Sequence, residues 1–325
     1  MSEGLTYRLF EERDLPGLLR LWEEAGWGVI GEEQWREWFL DTPHGACLIM
    51  VAEDARGEVV GQEIFTPARV SVGDREVSAL RLSAPILRQE ARRDSVRSRE
   101  HPAVALYYAA EAEAIAQGYS IVYTLPEHSW LPALRRLTRF RTAEFDCATF
   151  CLDAELPSQI VEAAAELYAQ PVVAFGEEYE ALWRAACENF KGTCGVVRRP
   201  RWLAYRNSGR VALEVRRRRD ESLCGYVAVK KRGGLIADAL APCTQELTGV
   251  LAAAIVYLAH ARRDGLAPTD SDTLKAMATP SLRPALGSLG FAPTDYKFAF
   301  ACNSIDETLP AGRVAPECWY VMPGD

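Results

Sequence analysis

At 325 residues the chain is too long for one typical core and comfortable for two domains. Hydrophobic residues make up 49% and charged residues 25%, the balance of a globular protein in water, and no apolar run approaches the roughly 20 residues that span a bilayer. The net charge of −8 speaks against a dedicated nucleic-acid binder, and nine singly spaced cysteines without a Cys-x-x-Cys pair speak for free thiols rather than zinc or disulfides. The opening "MSEGLTYRLFEERD" lacks the basic-then-apolar layout of a signal peptide, so a cytoplasmic location is expected. Periodicity then predicts helices over Leu15 to Ala25 and Glu32 to Leu40. A meander of strands follows over Cys47 to Glu53, Val59 to Val72 and Glu76 to Leu87, with polar turns between them. After the arginine-rich stretch "RQEARRDSVRSREH", His101-Pro102 opens a long helix that ends at Gly118. The strand "YSIVYTL", the helix "SWLPALRRLTRF" and the strand "AEFDCATFCL" complete this half.

The second half repeats the first. "SLRPALGSLGF" from Ser281 echoes "SWLPALRRLTRF" from Ser129, both reading Ser-x-x-Pro-Ala-Leu-x-x-Leu before a Phe. "WFLDTPHGACLIMVAEDARGEVVGQ" reaches Gly61 after 23 residues from Trp38, and "WLAYRNSGRVALEVRRRRDESLCGY" reaches Gly225 after 23 residues from Trp202. Two correspondences in the same order predict an internal duplication with a period too long for a solenoid. Residues 1–153 form the first domain, 154–175 a helical linker and 176–325 the second domain. The second copy carries helices over Tyr179 to Asn189 and Arg198 to Tyr205, the hairpin "VALEVRR"/"LCGYVAV" and the strand "GLIADAL". The helix "ELTGVLAAAIVYLAHARRDG", the repeated helix and the strand "DYKFAFAC" follow.

Meander, helix, strand, helix, strand is an α/β (α+β) layout with a mixed sheet. At this point the sequence resembles the GNAT acetyltransferase superfamily in a tandem form. The resemblance rests on the two Trp-to-Gly hairpin units, the strands "VVGQEIF" and "LCGYVAV", the "SLGF" helix closure and the final "CWYVMPGD". It implies two tandem GNAT-like domains, each a mostly antiparallel twisted sheet flanked by helices. It also implies acetyl-CoA as co-substrate, no metal, and an N-acyltransferase acting on a small-molecule or peptide amine bound between the domains. Two alternatives remain: a non-catalytic binding or regulatory protein that keeps the fold, and an aminoacyl-tRNA-dependent transferase. A homo-oligomer is left open.

The family grips the cofactor pyrophosphate with backbone N–H groups of a Gln/Arg-x-x-Gly-x-Gly/Ala loop at the start of the long helix, where unpaired donors and the helix dipole favour an anion. Here the matching stretch "RRDSVR" has Ser95 and Arg97 in place of the glycines. The first copy is therefore expected to use side chains of Arg92, Arg93, Ser95, Arg97 and Ser98 on the phosphates. Ser83, Ala84, Pro85 and Ile86 would meet the pantetheine arm. The plainer reading is a solvated loop in a domain without cofactor. The second copy has only "APCTQEL" at this place, and its site is expected to be degenerate.

Acetyl transfer needs a base for the ammonium, donors for the thioester carbonyl and an acid for the thiolate. The family's acidic tyrosine is replaced by Arg135 and Leu286. Glu63, on a central strand, and Glu127 and His128, in "LPEHSW" at the open end of the sheet, are the candidate bases. Asp238, in the apolar "LIADAL", is either a cleft acid or the partner of a nearby arginine. The run Arg216 to Arg219 reads first as a solvated hairpin tip and second as an anion-binding patch.

Overall fold

A computed structural model describes residues 4–91, 96, 98–189, 194–266, 268–310 and 312–325. In the first half, β1 (Thr6–Leu9) leads into α1 (Leu15–Glu24) and α2 (Glu32–Phe39). The meander β2 (Leu48–Glu53), β3 (Val59–Val72) and β4 (Arg75–Leu87) follows, then α3 (Pro102–Ala116), β5 (Ile121–Thr124), α4 (Leu131–Leu137) and β6 (Arg141–Cys151). The second half runs α5 (Ser158–Ala163), β7 (Leu167–Pro171), α6 (Glu177–Asn189), β8 (Cys194–Val196), α7 (Pro200–Arg206), β9 (Val211–Arg217), β10 (Leu223–Val229) and β11 (Ile236–Leu240). It closes with α8 (Thr244–Arg263), β12 (Thr273–Met277), α9 (Arg283–Ser288), β13 (Ala292–Ser304) and β14 (Trp319–Tyr320).

The chain forms two compact units that are not contiguous in sequence. One comprises residues 1–70, 76–143 and 299–316, the other 71–75, 144–298 and 317–325. The strand after each repeated helix is exchanged. The end of β13 pairs antiparallel with β5 in the first unit, Ala301 opposite Thr124. In the second unit β6 pairs antiparallel with β12, Thr273 opposite Cys151.

In the first unit the strand order is β1-β2-β3-β4-β5-β13. One sheet face carries Leu80, Leu82 and Phe65 against Leu106, Tyr107 and Ala110 of α3 and Leu134 of α4. The other carries Ile49, Val51, Ile64 and Ile86 against Leu18, Leu21 and Trp22 of α1 and Trp35 and Phe39 of α2. In α1 and α2 the apolar residues recur at three- and four-residue spacing and cover one stripe, whereas α3, rich in alanine, is apolar nearly all round and forms on helix propensity. Pro102 at the first turn of α3 costs no hydrogen bond, and the His101 Nδ1 accepts from the Ala103 N–H at 3.2 Å.

The second unit holds the antiparallel sheet β11-β10-β9-β7 and buries α8 on it through Leu247, Val250, Leu251, Ile255 and Leu258. The stretch expected to be a helical linker holds only the short α5 before β7, which pairs with β9, Leu167 opposite Arg217. Gly61 and Gly225, the ends of the repeated hairpin units, serve the same purpose. A Cβ on Gly61 would stand 2.7 Å from Leu87 Cδ1, and one on Gly225 would run into the Leu240 carbonyl and stand 2.7 Å from Val250 Cγ2.

No disulfide joins any of the nine cysteines, all of which lie among the described residues. No described helix is long and apolar enough to cross a membrane, and no described group of His, Cys, Asp or Glu could hold a metal ion.

Candidate active site

The site begins where two parallel strands part. β4 and β5 pair at Ala79–Ile121, Leu80–Val122 and Arg81–Tyr123. One residue further, Thr124 Oγ1 still donates to the Leu82 carbonyl at 3.1 Å, but β5 ends there while β4 runs on to Leu87. Proline accompanies both diverging ends: Pro126 follows β5, and Pro85 lies in the free part of β4. Neither offers an N–H to a ladder, so the sequence itself discourages further pairing. Ala84, just before Pro85, is in the left-handed region at φ 49°, a conformation costly for a residue with a Cβ.

A cavity of about 730 Å³ fills the opening. Its walls come from β3 (Gln62, Glu63), β4 (Arg81 to Leu87), the start of α3 (His101, Ala103, Val104, Leu106, Tyr107) and the segment after β5 (Leu125, Pro126, Glu127, Trp130). Ala133, Leu134 and Thr138 of the α4 region and Ala25 and Trp27 from the α1–α2 connection complete it. Several polar groups of the wall are already engaged. Ser83 Oγ donates to the Ile64 carbonyl at 3.2 Å and lies 3.2 Å from Thr66 Oγ1. Gln62 Nε2 donates to the Ala84 carbonyl at 3.1 Å, holding the distorted strand. Tyr107 donates to Glu111 Oε1 at 2.6 Å, and Asn303 Nδ2, on the exchanged β13, donates to the same oxygen at 2.7 Å.

Two acceptors are not engaged. Glu63 Oε2 and Gln62 Oε1 are buried without a hydrogen-bond partner among the described residues. Glu63 is 5% exposed and Gln62 fully buried, so both leave an unmet demand for a donor. Burial holds the Glu63 carboxyl well above the usual carboxylate range. Burial, then the neighbouring Glu111 carboxylate, raises the Tyr107 phenol well above its ordinary value, which makes it a poor acid.

The cavity therefore brings together Glu63, Glu127 and the predicted strand residues Ser83, Ala84, Pro85 and Ile86. His128 and Ser98 do not line it; His128 sits on an exposed one-turn 3₁₀ helix. Arg92, Arg93, Ser95 and Arg97 lie outside the described residues, though Val96 and His101 of the same loop reach the cavity. Arg135 is engaged elsewhere, donating to Thr142 Oγ1 at 2.7 Å. Gln62, Trp27 and Trp130 escaped the sequence reading. Only "GWG" around Trp27, an indole between two turn-forming glycines, hinted at a placed aromatic residue.

The second unit treats the matching strand differently. The two hairpin glycines lie against the carbonyls of Ile86 and Leu240, which makes Ala237 to Leu240 the counterpart in the second copy of Ser83 to Ile86 in the first. There the chain's own residues occupy the strand: the Gly324 N–H donates to the Ala237 carbonyl at 2.7 Å, and the Tyr320 hydroxyl donates to the Ala239 carbonyl. Asp238 is the partner of an arginine, the fully buried Arg198, at 3.0 Å. Arg198 also meets Asp325 at 2.6 Å, and the Tyr226 hydroxyl donates to Asp238. The arginine run is likewise satisfied within the unit. Arg216 pairs with Glu178 and Glu214, Arg217 reaches Glu246 at 3.4 Å, Arg218 donates to the Ala165 carbonyl, and Arg219 pairs with Asp220.

The chain has the GCN5-related N-acetyltransferase fold. It is similar to a GCN5-related N-acetyltransferase from Kribbella flavida, at 13% identity, with a TM-score of 0.62, over 93% of this chain and 72% of that one. A GCN5-related N-acetyltransferase from Anabaena variabilis gives 14% identity and a TM-score of 0.64 over 93% and 73%. N-myristoyltransferase of Saccharomyces cerevisiae, solved with bound myristoyl-CoA, gives 9% identity and a TM-score of 0.58 over 92% and 82%. No protein-family description and no curated protein matches the chain by sequence.

Proposed function

We propose that the chain is an acyl-CoA-dependent N-acyltransferase, with acetyl-CoA as the expected donor and an amine as acceptor, working from the cavity of the first unit. What supports this reading is the parting of β4 and β5 around a cavity whose wall includes Glu63, a buried carboxyl with one oxygen unpartnered among the described residues. The pantetheine arm would run along Ser83 to Ile86. Pro85 has no N–H, so its neighbours supply the donors. The phosphates would fall to the loop before α3, to Arg92, Arg93, Ser95, Arg97 and Ser98. The second unit would not take a cofactor, because residues 320–324 already use the carbonyls of Ala237 and Ala239.

In the reaction, Glu63 takes a proton from the incoming ammonium. The amine nitrogen attacks the thioester carbonyl, the C–N bond forms, and the C–S bond breaks. The thiolate takes up one proton and one passes through Glu63 to water. Glu127, exposed at the mouth, is the second carboxylate of the site. The family's tyrosine acid has no counterpart here, and the thiolate leaves unaided.

Calorimetry with acetyl-CoA tests the proposal. One site per chain is expected, with affinity reduced in Arg93→Ala/Arg97→Ala. No heat with acetyl-CoA at millimolar concentration would leave the fold as a binding scaffold. An RNA-directed reading is disfavoured by the internal engagement of Arg216 to Arg219.

A further inference from the structure

The rim of the cavity beside α4 is basic. Residues 128–143, which run from the turn before α4 to the start of β6, hold Arg135, Arg136, Arg139 and Arg141 and no carboxylate, in a chain whose net charge is −8. All four arginines are exposed. Arg135 and Arg136 lie in the last turn of α4, where a cation also suits the helix dipole, but Arg139 and Arg141 lie beyond it. Arg139 has no ion pair or hydrogen bond among the described residues, and Arg136 reaches the Val96 carbonyl at 3.4 Å. The run Arg216 to Arg219 differs: carboxylates and a carbonyl of its own unit meet it.

The same edge borders the cavity. Ala133, Leu134 and Thr138 line it, and so does Trp130, an indole 36% exposed on the turn before α4. Val96, which accepts from Arg136, is also part of the lining. Exposed Arg99 lies over the Tyr108 ring at 5.6 Å, and the Tyr108 hydroxyl donates to the Leu137 carbonyl at 2.7 Å, so a fifth arginine joins this edge. Glu100, Glu127 and Glu144 flank the patch in sequence and are fewer than its cations. An exposed indole among arginines is the composition of a protein-binding hot spot.

A thioester on a pantetheine arm can be brought by a nucleotide or by a protein. The pyrophosphate of a nucleotide is held best by a cradle of backbone N–H groups, which calls for glycine, and no glycine occurs between Gly73 and Gly118. An arm that ends in a single phosphodiester on an acidic protein needs no such cradle, because the partner's carboxylates meet the arginines and steer the approach. We propose that the α4 edge is the docking surface for an acidic carrier protein, which delivers the acyl group into the cavity past Trp130 on a 4′-phosphopantetheine arm. This rests on the part of the acyltransferase reading that lays the arm along Ser83 to Ile86. The bond changes are those given above, with the C–S bond breaking and the C–N bond forming, and the thiolate stays on the carrier.

Calorimetry with the acyl carrier protein of fatty-acid synthesis tests the surface. The carrier with an acetylated arm is compared with the same carrier lacking the arm, and with acetyl-pantetheine alone. The acetylated carrier should bind at least about tenfold more tightly than the armless one, and should weaken about tenfold between roughly 50 and 300 mM NaCl. Arg136→Glu/Arg139→Glu should weaken it at least about tenfold and leave acetyl-pantetheine within about twofold. Ala133→Trp, which fills the cavity from the α4 side, should bring the acetylated carrier down to the level of the armless one. Equal binding of the two carrier forms, an unaffected double variant, or a single-stranded RNA oligonucleotide bound more tightly than the carrier would overturn the inference. Acetyl-CoA bound and the acetylated carrier not bound would overturn it and leave the acyltransferase reading intact. The carrier bound through its arm and acetyl-CoA not bound would keep the docking surface and overturn dependence on acetyl-CoA.

Discussion

Replacing Glu63 by Gln keeps the shape of the side chain and removes its proton. In the structure the carboxyl is almost fully buried, has one oxygen without a partner, and is pushed well above the usual carboxylate range by burial alone. A positioned base contributes typically 10² to 10⁴ in rate, so kcat/KM should fall by about that factor, or roughly 3 to 5 kcal/mol of transition-state stabilisation. Acetyl-CoA affinity should not change. Stability should move the other way. A carboxyl whose folded-state pKa is raised favours the fold while it is protonated, and that advantage fades as pH rises through the folded value. Wild type and Glu63→Gln should therefore unfold alike at pH 4, and the variant should be the more stable at pH 9. Steady-state thiol release across pH, with urea unfolding at the two pH values, tests both parts. The acid limb of wild-type kcat/KM should lie above the usual carboxylate range and be absent in the variant. Activity within threefold of wild type, or an unchanged acid limb, would refute the assignment.

Further consequences can be measured in the second unit. Gly225→Ala should lower stability by about 3 kcal/mol, read as a fall of roughly 6–12 °C in melting temperature, because the new methyl meets a backbone carbonyl and Val250 of α8. Asp238→Ala should cost about 3–5 kcal/mol in urea unfolding, because Arg198 stays fully buried with one of its two carboxylate partners gone. Burial, opposed by Arg198 and aided by Asp238, pushes the Asp325 carboxyl up to about 6. Its contribution should be complete near pH 4 and lost as pH rises past about 6, and Asp325→Asn should flatten that slope.

Much of the fold was readable because its signals are local. The ranges Val59–Val72, Val211–Arg217 and Leu223–Val229 emerge as strands where alternation and polar turns placed them. Thr273–Met277 and Leu167–Pro171 were missed because they are short, and their pairing partners, β6 and β9, lie far away in sequence. The exchange of β6 and β13 is invisible for the same reason: each strand reads identically whichever sheet receives it. At the site, strand position pointed to Glu63, and the strand before the arginine-rich loop pointed to Ser83 to Ile86. Gln62 could not be found that way. Its importance lies in an oxygen left over after its nitrogen has bonded Ala84, and only the folded chain shows that remainder. His128 looked as suitable as Glu127 in "LPEHSW", yet only Glu127 borders the cavity.

β6, from the first half of the sequence, pairs with β12, and the end of β13, from the second half, pairs with β5. A break anywhere in residues 154–157 would leave each fragment holding a strand that completes the other fragment's sheet and lacking one of its own. Two genes carrying residues 1–155 and 156–325 should therefore yield a co-purifying heterodimer, while either piece produced alone should expose a bare strand edge and aggregate.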